Sequence, residues 1–271
     1  MMDARTAIVT GGGQGIGRAI ARALAGQGVR VCVVDLDLGN AHTVASEIGG
    51  AALACDLRDP AGIETMIAAA EAALGEIDML VSNAGFAGGA VEGPTSAPDA
   101  QWQDSWDLHV MAHLRASRLV LPGMIARGRG WLVNVASAAG LLSQIGDAPY
   151  SATKHAAVSL AQSLAIEHGD QGIHVSVVCP LYVATPLLGY DIDAPEGLPN
   201  DRVLTAKDVA DALMDGLHKD RFLILPHPEA AIFARRRAED MDRWIAGMRR
   251  LRREAFADGV PQTLADLHRK I

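Results

Sequence analysis

An α/β fold with a doubly wound parallel sheet is the architecture that the sequence predicts. Short runs rich in valine, isoleucine and leucine recur along the chain, mostly separated by alanine-rich segments with a helical period. The apolar residues within these runs are mostly continuous, which is typical of strands buried on both faces of a parallel sheet. A length of 271 residues suits one large domain, residues 1–271.

The strands are predicted at residues 6–10, 29–35, 51–55, 77–82, 131–136, 174–179 and 222–225. Helices are expected between them, and the best marked begins at Asp59-Pro60, where an N-cap precedes a proline, and ends at Gly75. Residues 181–205 contain three prolines and two glycines but no period. We therefore predict a long substrate loop there.

An amphipathic helical extension is predicted at residues 228–256. Eight arginines lie between Arg235 and Arg253, and apolar residues recur at helical spacing: Met241, Trp244, Ile245, Met248 and Leu251. Such a helix could contact a membrane surface or an acidic partner. The interleaved acidic residues favour a solvated face whose apolar stripe packs on its own subunit or on a neighbouring one.

Composition excludes several classes of function. A formal net charge of −8 argues against a nucleic-acid partner, because phosphates would be repelled over most of the surface. No apolar run approaches the roughly 18 residues of a membrane span, and the N-terminal residues leave no room for a signal peptide. We therefore expect a cytoplasmic protein without a membrane span. Cys32, Cys55 and Cys179 lie in or at the end of apolar runs, where buried thiols are expected.

A glycine-rich turn follows the first strand and predicts a phosphate site. Its spacing is T-G-x-x-x-G-x-G, formed by Thr10, Gly11, Gly15 and Gly17, with Gly13, Gln14 and Ile16 between them. Glycines let the backbone approach a pyrophosphate, whose charge the N-terminus of the next helix stabilises. The alternative is a tight strand-to-helix turn with no ligand. A nucleotide at this turn would make the fold a Rossmann fold.

Asp35 ends the second strand, where a carboxylate can bind both hydroxyls of the adenosine ribose. Because a 2′-phosphate would meet a like charge and Leu36 offers no cation, NAD is favoured over NADP. Arg18 keeps an NADPH-dependent reductase open. Asp56, followed by Leu57, could accept a hydrogen bond from adenine. Either aspartate could instead cap a turn.

The chain resembles the short-chain dehydrogenase/reductase family over roughly residues 5–225. Besides the glycine turn and Asp56-Leu57, the matching segments are Asn83-Ala84-Gly85, Ser137 and the Tyr150-to-Lys154 segment. The resemblance implies that Asn83, Ala84 and Gly85 lie beside the adenosine and that Lys154 binds the nicotinamide ribose. It also implies a homodimer or homotetramer formed through the long helices that contain His109 and Tyr150.

Tyr150 and Lys154 are four residues apart and would share one helix face. The ammonium and an oxidised nicotinamide are expected to lower the phenol pKa from near 10, so that Tyr150 takes the alcohol proton while hydride leaves. Ser137 is expected to polarise the substrate oxygen. A Tyr-x-x-x-Lys pair can also be an ordinary helix-surface pair; Ser137 favours the catalytic interpretation.

Two positions depart from the family pattern. His109 stands where the family has an asparagine that helps hold a water on the path from lysine to solvent. An imidazole could serve that relay or simply pack in the helix. His113 lies one turn further on, but no carboxylate or cysteine completes a metal site, so no metal is predicted.

Leu181 replaces the glycine that usually follows Pro180 in the family. Since leucine enters positive φ only at a cost, the turn is expected either to differ or to need no such conformation. Val183 and Thr185 match the family's contacts with the nicotinamide carboxamide. The substrate pocket is expected to include Phe86, Leu141, Leu142, Gln144, Leu181, Leu187, Leu188 and Tyr190.

That set is largely apolar, so an apolar secondary alcohol or ketone is the predicted substrate. The sequence thus predicts an NAD(H)-dependent alcohol dehydrogenase or carbonyl reductase. A protein that binds NAD as a sensor or scaffold without turnover is the alternative from another class.

Overall fold

Short buried strands alternate with helices throughout the computed structural model, which describes residues 3–190 and 203–270. The strands are β1 Thr6–Thr10, β2 Arg30–Asp35, β3 Ala51–Ala54, β4 Met79–Ser82, β5 Gly130–Val135, β6 Ile173–Val178, β7 Val183–Ala184, β8 Leu204–Thr205 and β9 Leu223–Ile224. All seven predicted strands are present, and the structure adds the short pair β7 and β8.

The α-helices are α1 Gly15–Gly26, α2 Leu38–Ile48, α3 Pro60–Leu74, α4 Asp99–Trp106, α5 Ala112–Arg127, α6 Ala139–Leu142, α7 Ala148–His168, α8 Ala206–His218, α9 Glu229–Glu239, α10 Met241–Ala255 and α11 Leu264–His268. A π-helical turn, Asp107–Met111, joins α4 to α5. Helix α3 has the predicted start, because the Asp59 side chain accepts hydrogen bonds from Ala61 N and Gly62 N.

The main sheet has seven parallel strands in the order β3-β2-β1-β4-β5-β6-β9. The strand order reverses between β1 and β4, and ligands bind parallel sheets at such a reversal, outside the carboxyl ends of the strands. Alternate residues of each strand enter two apolar layers. One layer packs against α3, α5 and α7, and the other against α1, α2 and α8. The chain is a single Rossmann domain.

The C-terminal extension differs from the single helix expected at residues 228–256. It forms two helices, α9 and α10, because Asp240 has extended backbone geometry and its side chain accepts a hydrogen bond from Arg243 N at 2.9 Å. Asp240 thereby caps α10. The further helix α11 was not predicted. Its residues Leu264 and Leu267 are buried with Ala255 in a small apolar cluster.

The substrate loop predicted at residues 181–205 contains β7, β8 and a 3-10 turn at Pro186–Leu188. Residues 191–202 of that prediction lie outside the described part of the chain. Leu181 has no positive φ, so the turn after Pro180 needs no left-handed conformation at that position. Within residues 3–190 and 203–270, no helix is both long and apolar enough to cross a membrane.

Candidate active site

A cleft of about 1350 Å³ runs along the carboxyl edge of the sheet, from the end of β2 past β1, β4 and β5 to the C-terminal helices. Its walls are mostly apolar, and its polar groups are concentrated at two places. One is the glycine turn with Asp35, and the other is the group formed by Ser137, Tyr150 and Lys154. The cleft therefore joins the predicted nucleotide site to the predicted catalytic residues.

The glycine turn is packed too tightly for side chains at several of its positions. A Cβ on Gly17 would collide with the Gly11 carbonyl oxygen, and a Cβ on Gly13 would lie 2.8 Å from Asp35 Oδ2. The first turn of α1 therefore packs directly against the backbone of Gly11, and the turn packs against Asp35 at the end of β2. Gly11 and Gly15 have positive φ, so the turn leaves backbone facing the cleft, as a phosphate site requires.

Thr10 and Asn83 fasten the turn to β4. Thr10 Oγ1 accepts hydrogen bonds from Asn83 N at 3.0 Å and from Ala84 N at 3.2 Å. Asn83 Nδ2 donates to the carbonyl oxygens of Thr10 and Gly11 at 3.0 and 3.1 Å. The amide of Asn83, which the resemblance placed beside the adenosine, therefore also holds the glycine turn in shape.

Asp35 faces the cleft at the end of β2. Its carboxylate accepts hydrogen bonds from Gly13 N at 2.9 Å and from Asp37 N at 3.2 Å. Arg18 is the residue because of which the sequence left an NADPH-dependent enzyme as an alternative. Its guanidinium donates to Glu47 at 2.8 Å, and it does not line the cleft. The charge nearest the predicted ribose position is therefore negative.

Asp56 lines the same end of the cleft, but Arg58 covers its carboxylate. The guanidinium donates to both oxygens of Asp56, at 3.0 and 2.8 Å. This pair lowers the pKa of the Asp56 carboxyl. Both side chains are exposed, so the pair is worth little in stability, yet it orients a cation that the sequence analysis did not consider.

Ser137, Tyr150 and Lys154 come together at the floor of the cleft. Ser137 follows β5 and its hydroxyl accepts from Ala139 N at 3.1 Å. Lys154 Nζ donates to the Val135 carbonyl at 3.0 Å and lies 5.5 Å from the centroid of the Tyr150 ring. Asp147 caps the catalytic helix α7 by accepting from Tyr150 N at 3.1 Å. The cap fixes where α7 begins and so positions Tyr150.

Burial opposes the charged form of both helix residues. It raises the pKa of the Tyr150 phenol to about 12, against the effect of the Ser137 hydroxyl, and lowers the pKa of the Lys154 ammonium to about 8. The phenol pKa is thus raised in the protein alone, and the lowered pKa expected from the sequence applies to Tyr150 beside both Lys154 and an oxidised nicotinamide. Lowering it would require the positive charge of an oxidised nicotinamide.

His109 lies beneath the cleft, and both of its ring nitrogens have partners. Phe86 N donates to Nε2 at 3.2 Å, so Nε2 carries no proton and Nδ1 donates to Thr153 Oγ1 at 2.9 Å. The Thr153 hydroxyl in turn donates to the Pro149 carbonyl at 2.8 Å. Burial holds the pKa of His109 well below its usual value. His109 is therefore a neutral residue, and its ring meets the Tyr150 ring edge-on at 5.5 Å.

His113 is buried one turn further along, on α5. Neither of its ring nitrogens has a hydrogen-bond partner among the described residues. Burial lowers its pKa to about 3. The described residues contain no group of three or more histidine, cysteine or acidic side chains that could hold a metal ion.

His227 shapes the turn after Pro180 and was missed by the sequence analysis. Leu181 N donates to its Nδ1 at 3.1 Å, and its Nε2 donates to the Tyr182 carbonyl at 3.0 Å. One buried imidazole thus pairs two backbone groups of the turn. A histidine 46 residues from its partner gives no local signal in the sequence.

Most of the predicted site residues line the cleft. They are Gly11, Gln14, Gly15, Ile16, Asp35, Leu36, Asp56, Leu57, Asn83, Ala84, Gly85, Phe86, Ser137, Leu142, Gln144, Tyr150, Lys154, Pro180, Leu181, Val183, Thr185, Leu187 and Leu188. Thr10, Gly13 and Gly17 support the glycine turn from outside the cleft.

Leu141 and Tyr190 were predicted to face the substrate but do not line the cleft. Leu141 lies on α6 and packs against two clusters of buried apolar residues. The Tyr190 hydroxyl lies 2.8 Å from His268 Nε2 and faces α11. Both predictions assumed a side-chain direction that depends on what packs against each segment, and neither direction is encoded locally.

The outer wall of the cleft comes from the C-terminal helices. The residues that contribute to it are Phe233, Arg236, Arg243, Trp244, Gly247, Met248 and Leu251. Three of these, Trp244, Met248 and Leu251, belong to the predicted amphipathic stripe. The stripe was a usable signal, but the sequence did not indicate that it faces the cleft.

A seven-stranded Rossmann sheet with a glycine turn and a buried Ser-Tyr-Lys group defines a nucleotide-dependent oxidoreductase. The family model described as short chain dehydrogenase matches residues 5–195. The chain belongs to the short-chain dehydrogenase family, and it is an oxidoreductase that interconverts hydroxyl and ketone groups.

Relatives from two bacteria are similar over most of the chain. The 1-deoxy-11-beta-hydroxypentalenate dehydrogenase of Streptomyces exfoliatus is 32% identical over 90% of this chain and 91% of its own. The 2-(R)-hydroxypropyl-CoM dehydrogenase of Xanthobacter autotrophicus is 33% identical over 78% of this chain and 90% of its own. A short-chain dehydrogenase/reductase from Burkholderia phymatum, solved in complex with NAD, has a TM-score of 0.78 and 28% identity, covering 89% of this chain and 96% of its own.

Proposed function

We propose that the protein is an NAD(H)-dependent dehydrogenase/reductase that interconverts an apolar secondary alcohol and its ketone, with Tyr150 as general acid and base. The observation that carries the proposal is the position of Ser137, Tyr150 and Lys154. They form the floor of the same cleft whose other end holds the glycine turn and Asp35. Relatives named as dehydrogenases of hydroxy compounds support the same reaction.

The residues at the nucleotide end fit NAD. The backbone around Gly11 and Gly15 would hold the pyrophosphate, and Asp35 would accept hydrogen bonds from the adenosine ribose. A 2′-phosphate would meet the Asp35 carboxylate, while Arg18 is engaged by Glu47. Lys154 would bind the nicotinamide ribose, and Val183 and Thr185 the carboxamide. When bound, NAD supplies the hydride acceptor or donor.

The chain's own residues would move the proton. In oxidation, the Tyr150 phenolate takes the proton of the alcohol hydroxyl, while the Ser137 hydroxyl donates a hydrogen bond to the same substrate oxygen. In reduction, the phenol returns the proton to the carbonyl oxygen. Lys154 stays positive below about pH 8 and stabilises the phenolate across the short distance between them.

We assign His109 a positioning role rather than a proton-carrying one. Its neutral ring packs edge-on against Tyr150 and connects Phe86 to Thr153, on the helix that carries Tyr150. A ring with both nitrogens engaged offers Lys154 no exchangeable position. The relay role considered from the sequence would require one of these hydrogen bonds to break.

A homo-oligomer is expected from exposed apolar side chains on the catalytic helix α7 and on the helices α4 and α5. Trp106 on α4, Leu119 on α5 and Ile166 on α7 are 45%, 38% and 79% exposed. Burying such residues against a second copy is favourable at about 25 cal/mol per Å² of apolar surface. Sedimentation would distinguish a dimer from a tetramer.

A panel of secondary alcohols with NAD, assayed by NADH absorbance, tests the reaction. Replacing Tyr150 with phenylalanine should lower kcat by a factor of roughly 10²–10⁴, the usual contribution of a general acid or base. His42→Gln is the control, because His42 is exposed on α2 and does not line the cleft. Tight NAD binding with no Tyr150-dependent turnover would indicate a sensor instead.

Isothermal titration with NAD and NADP tests the cofactor. We expect NAD to bind more tightly than NADP. Asp35→Ser should reduce the difference between the two affinities, because it removes the carboxylate that repels the 2′-phosphate of NADP. Tighter NADP binding by the unmodified protein would refute the argument from Asp35.

A further inference from the structure

The outer wall of the cleft lies opposite the catalytic residues and is made by α9 and α10. On α10 the residues at this wall are Trp244, Gly247, Met248 and Leu251, which recur every three or four positions and so share one helix face. They are half-buried, whereas Met241 and Ile245, the other two members of the apolar stripe, are 43% and 49% exposed and do not line the cleft. Three of the five stripe residues of α10 are therefore turned toward the cleft.

The facing wall is apolar as well. Leu142 follows Ser137 by five residues, and Leu187 and Leu188 lie on the substrate loop. Phe233 extends the outer wall from α9, with its ring centroid 6.4 Å from that of Trp244. Phe233 and Trp244 also pack against the cluster of Ala138, Leu142 and Ala230, so the outer wall joins the floor of the cleft along an apolar edge close to Ser137. A ligand at Tyr150 that extends toward this edge would contact apolar surface.

Charged residues also border the outer wall, but their signs are mixed. Arg236 and Arg243 stand beside Glu229, Glu239 and Asp240. A carboxylate or phosphate on the substrate would meet both attraction and repulsion there. The wall therefore selects by apolar contact and size rather than by charge.

The wall is held at both ends. At one end Asp240 caps α10 where it leaves α9. At the other end Leu264 and Leu267 of α11 are buried, and His268 lies 2.8 Å from the Tyr190 hydroxyl on the substrate loop. Helix α10 is thus fixed at a set distance from the catalytic floor, which gives the chamber a defined width.

We propose that the inward face of α10 is the size-selecting wall of the site and that the substrate is a bulky apolar secondary alcohol, such as a fused-ring one, or its ketone. This rests on the proposed function. In this proposal a small alcohol bound at Tyr150 leaves most of the surface of Trp244, Met248 and Leu251 uncovered and gains little from the wall. A bulky one buries these side chains as well as its own surface.

The test compares alcohols of increasing size: cyclohexanol, decahydronaphthol and a steroid alcohol. Both kcat/KM and binding to the NADH-loaded protein are measured, the latter by isothermal titration, because an alcohol cannot be oxidised when the bound cofactor is already reduced. In the unmodified protein, affinity and kcat/KM should rise with size. Trp244→Ala and Met248→Ala should each lower kcat/KM for the largest alcohol about tenfold, mainly by raising KM. The kcat/KM for cyclohexanol should not change. Ile245→Ala, on an outward face of the same helix, is the control and should change neither alcohol.

Gly247→Leu gives the opposite perturbation without harming the helix. A Cβ at Gly247 meets no atom within 4 Å, and leucine is the better helix former. The added side chain should reduce kcat/KM for the steroid alcohol at least tenfold and preserve turnover of cyclohexanol. The free energy of unfolding measured in urea should not decrease. This result cannot come from misfolding.

Equal losses for all alcohols, or no gain with size in the unmodified protein, would overturn the size-selecting wall. Absence of Tyr150-dependent turnover would overturn the proposed function. The two failures are separable, because titration reports on the wall without turnover. If affinity rises with the size of the alcohol and Trp244→Ala abolishes that rise, the size-selecting role of α10 is supported, whether or not Tyr150-dependent turnover is found.

Discussion

Acid should destabilise the protein through His113, buried on α5 beside the catalytic helix. Burial lowers its pKa from 6.5 to about 3, so the folded chain cannot take up a proton that the unfolded chain binds below pH 6.5. Above pH 6.5 His113 therefore causes no loss in the free energy of unfolding, and the loss grows as the pH falls from 6.5 toward 3. The two pKa values give a loss of about 2 kcal/mol at pH 5 and about 3 kcal/mol at pH 4.

His113→Leu should remove that part of the acid sensitivity. The Asn134 side chain lies beside the His113 ring, and its amide nitrogen has no other hydrogen-bond partner among the described residues, so the substitution should also cost about 1–3 kcal/mol at every pH. The test is therefore the difference in stability between pH 8 and pH 5, not the stability at one pH. Urea unfolding at pH 8, 6.5 and 5 is the assay, with m-values checked for constancy. The variant should lose about 2 kcal/mol less than the unmodified protein between pH 8 and pH 5.

His42→Gln is the control, since His42 is exposed on α2 and its loss should leave the acid sensitivity unchanged. Part of the sensitivity should persist in His113→Leu, because burial also depresses the pKa of His109. Equal losses in the unmodified protein and His113→Leu would refute the reasoning. They would mean that the His113 imidazole can be protonated in the folded state at little cost.

Three other substitutions test the packing around the site. Gly17→Ala should weaken NAD binding and cost about 1–3 kcal/mol in urea unfolding, since its Cβ collides with the Gly11 carbonyl; unchanged affinity would contradict this. His227→Phe should cost about 1–3 kcal/mol by leaving the buried Leu181 N–H unpaired, and unaltered stability would show that this N–H finds another partner. His109→Asn should lower kcat with no shift in its pH profile, whereas a shifted profile would restore the relay role to His109.

The sheet and the glycine turn could be predicted because their determinants are local. Strands buried on both faces require continuous apolar runs, and a backbone that approaches a phosphate requires glycine at set positions. Asp35 and the Tyr150–Lys154 spacing are likewise set by where a strand ends and by the helical repeat. Their relation to the cleft follows from the parallel topology.

Other parts of the site depend on contacts between distant segments. The direction of Tyr190 depends on His268, 78 residues away, and the turn at Leu181 depends on His227. The break before α10 did have a local signal, because Asp240 is a favoured N-cap residue, but the helical period continues across it. The sequence therefore indicated which segments are helices and strands, but it did not indicate which side chains contact each other across distant segments.

The placement of the outer wall separates recognition from chemistry along the chain. Cofactor and catalytic residues lie before or at the substrate loop, whereas α9, α10 and α11 form one continuous stretch after the last strand. Mutations confined to that stretch can change which molecules are accepted without altering the glycine turn or Tyr150. Evolution, or a library restricted to about forty codons, could therefore retune substrate range while the reaction itself is inherited unchanged.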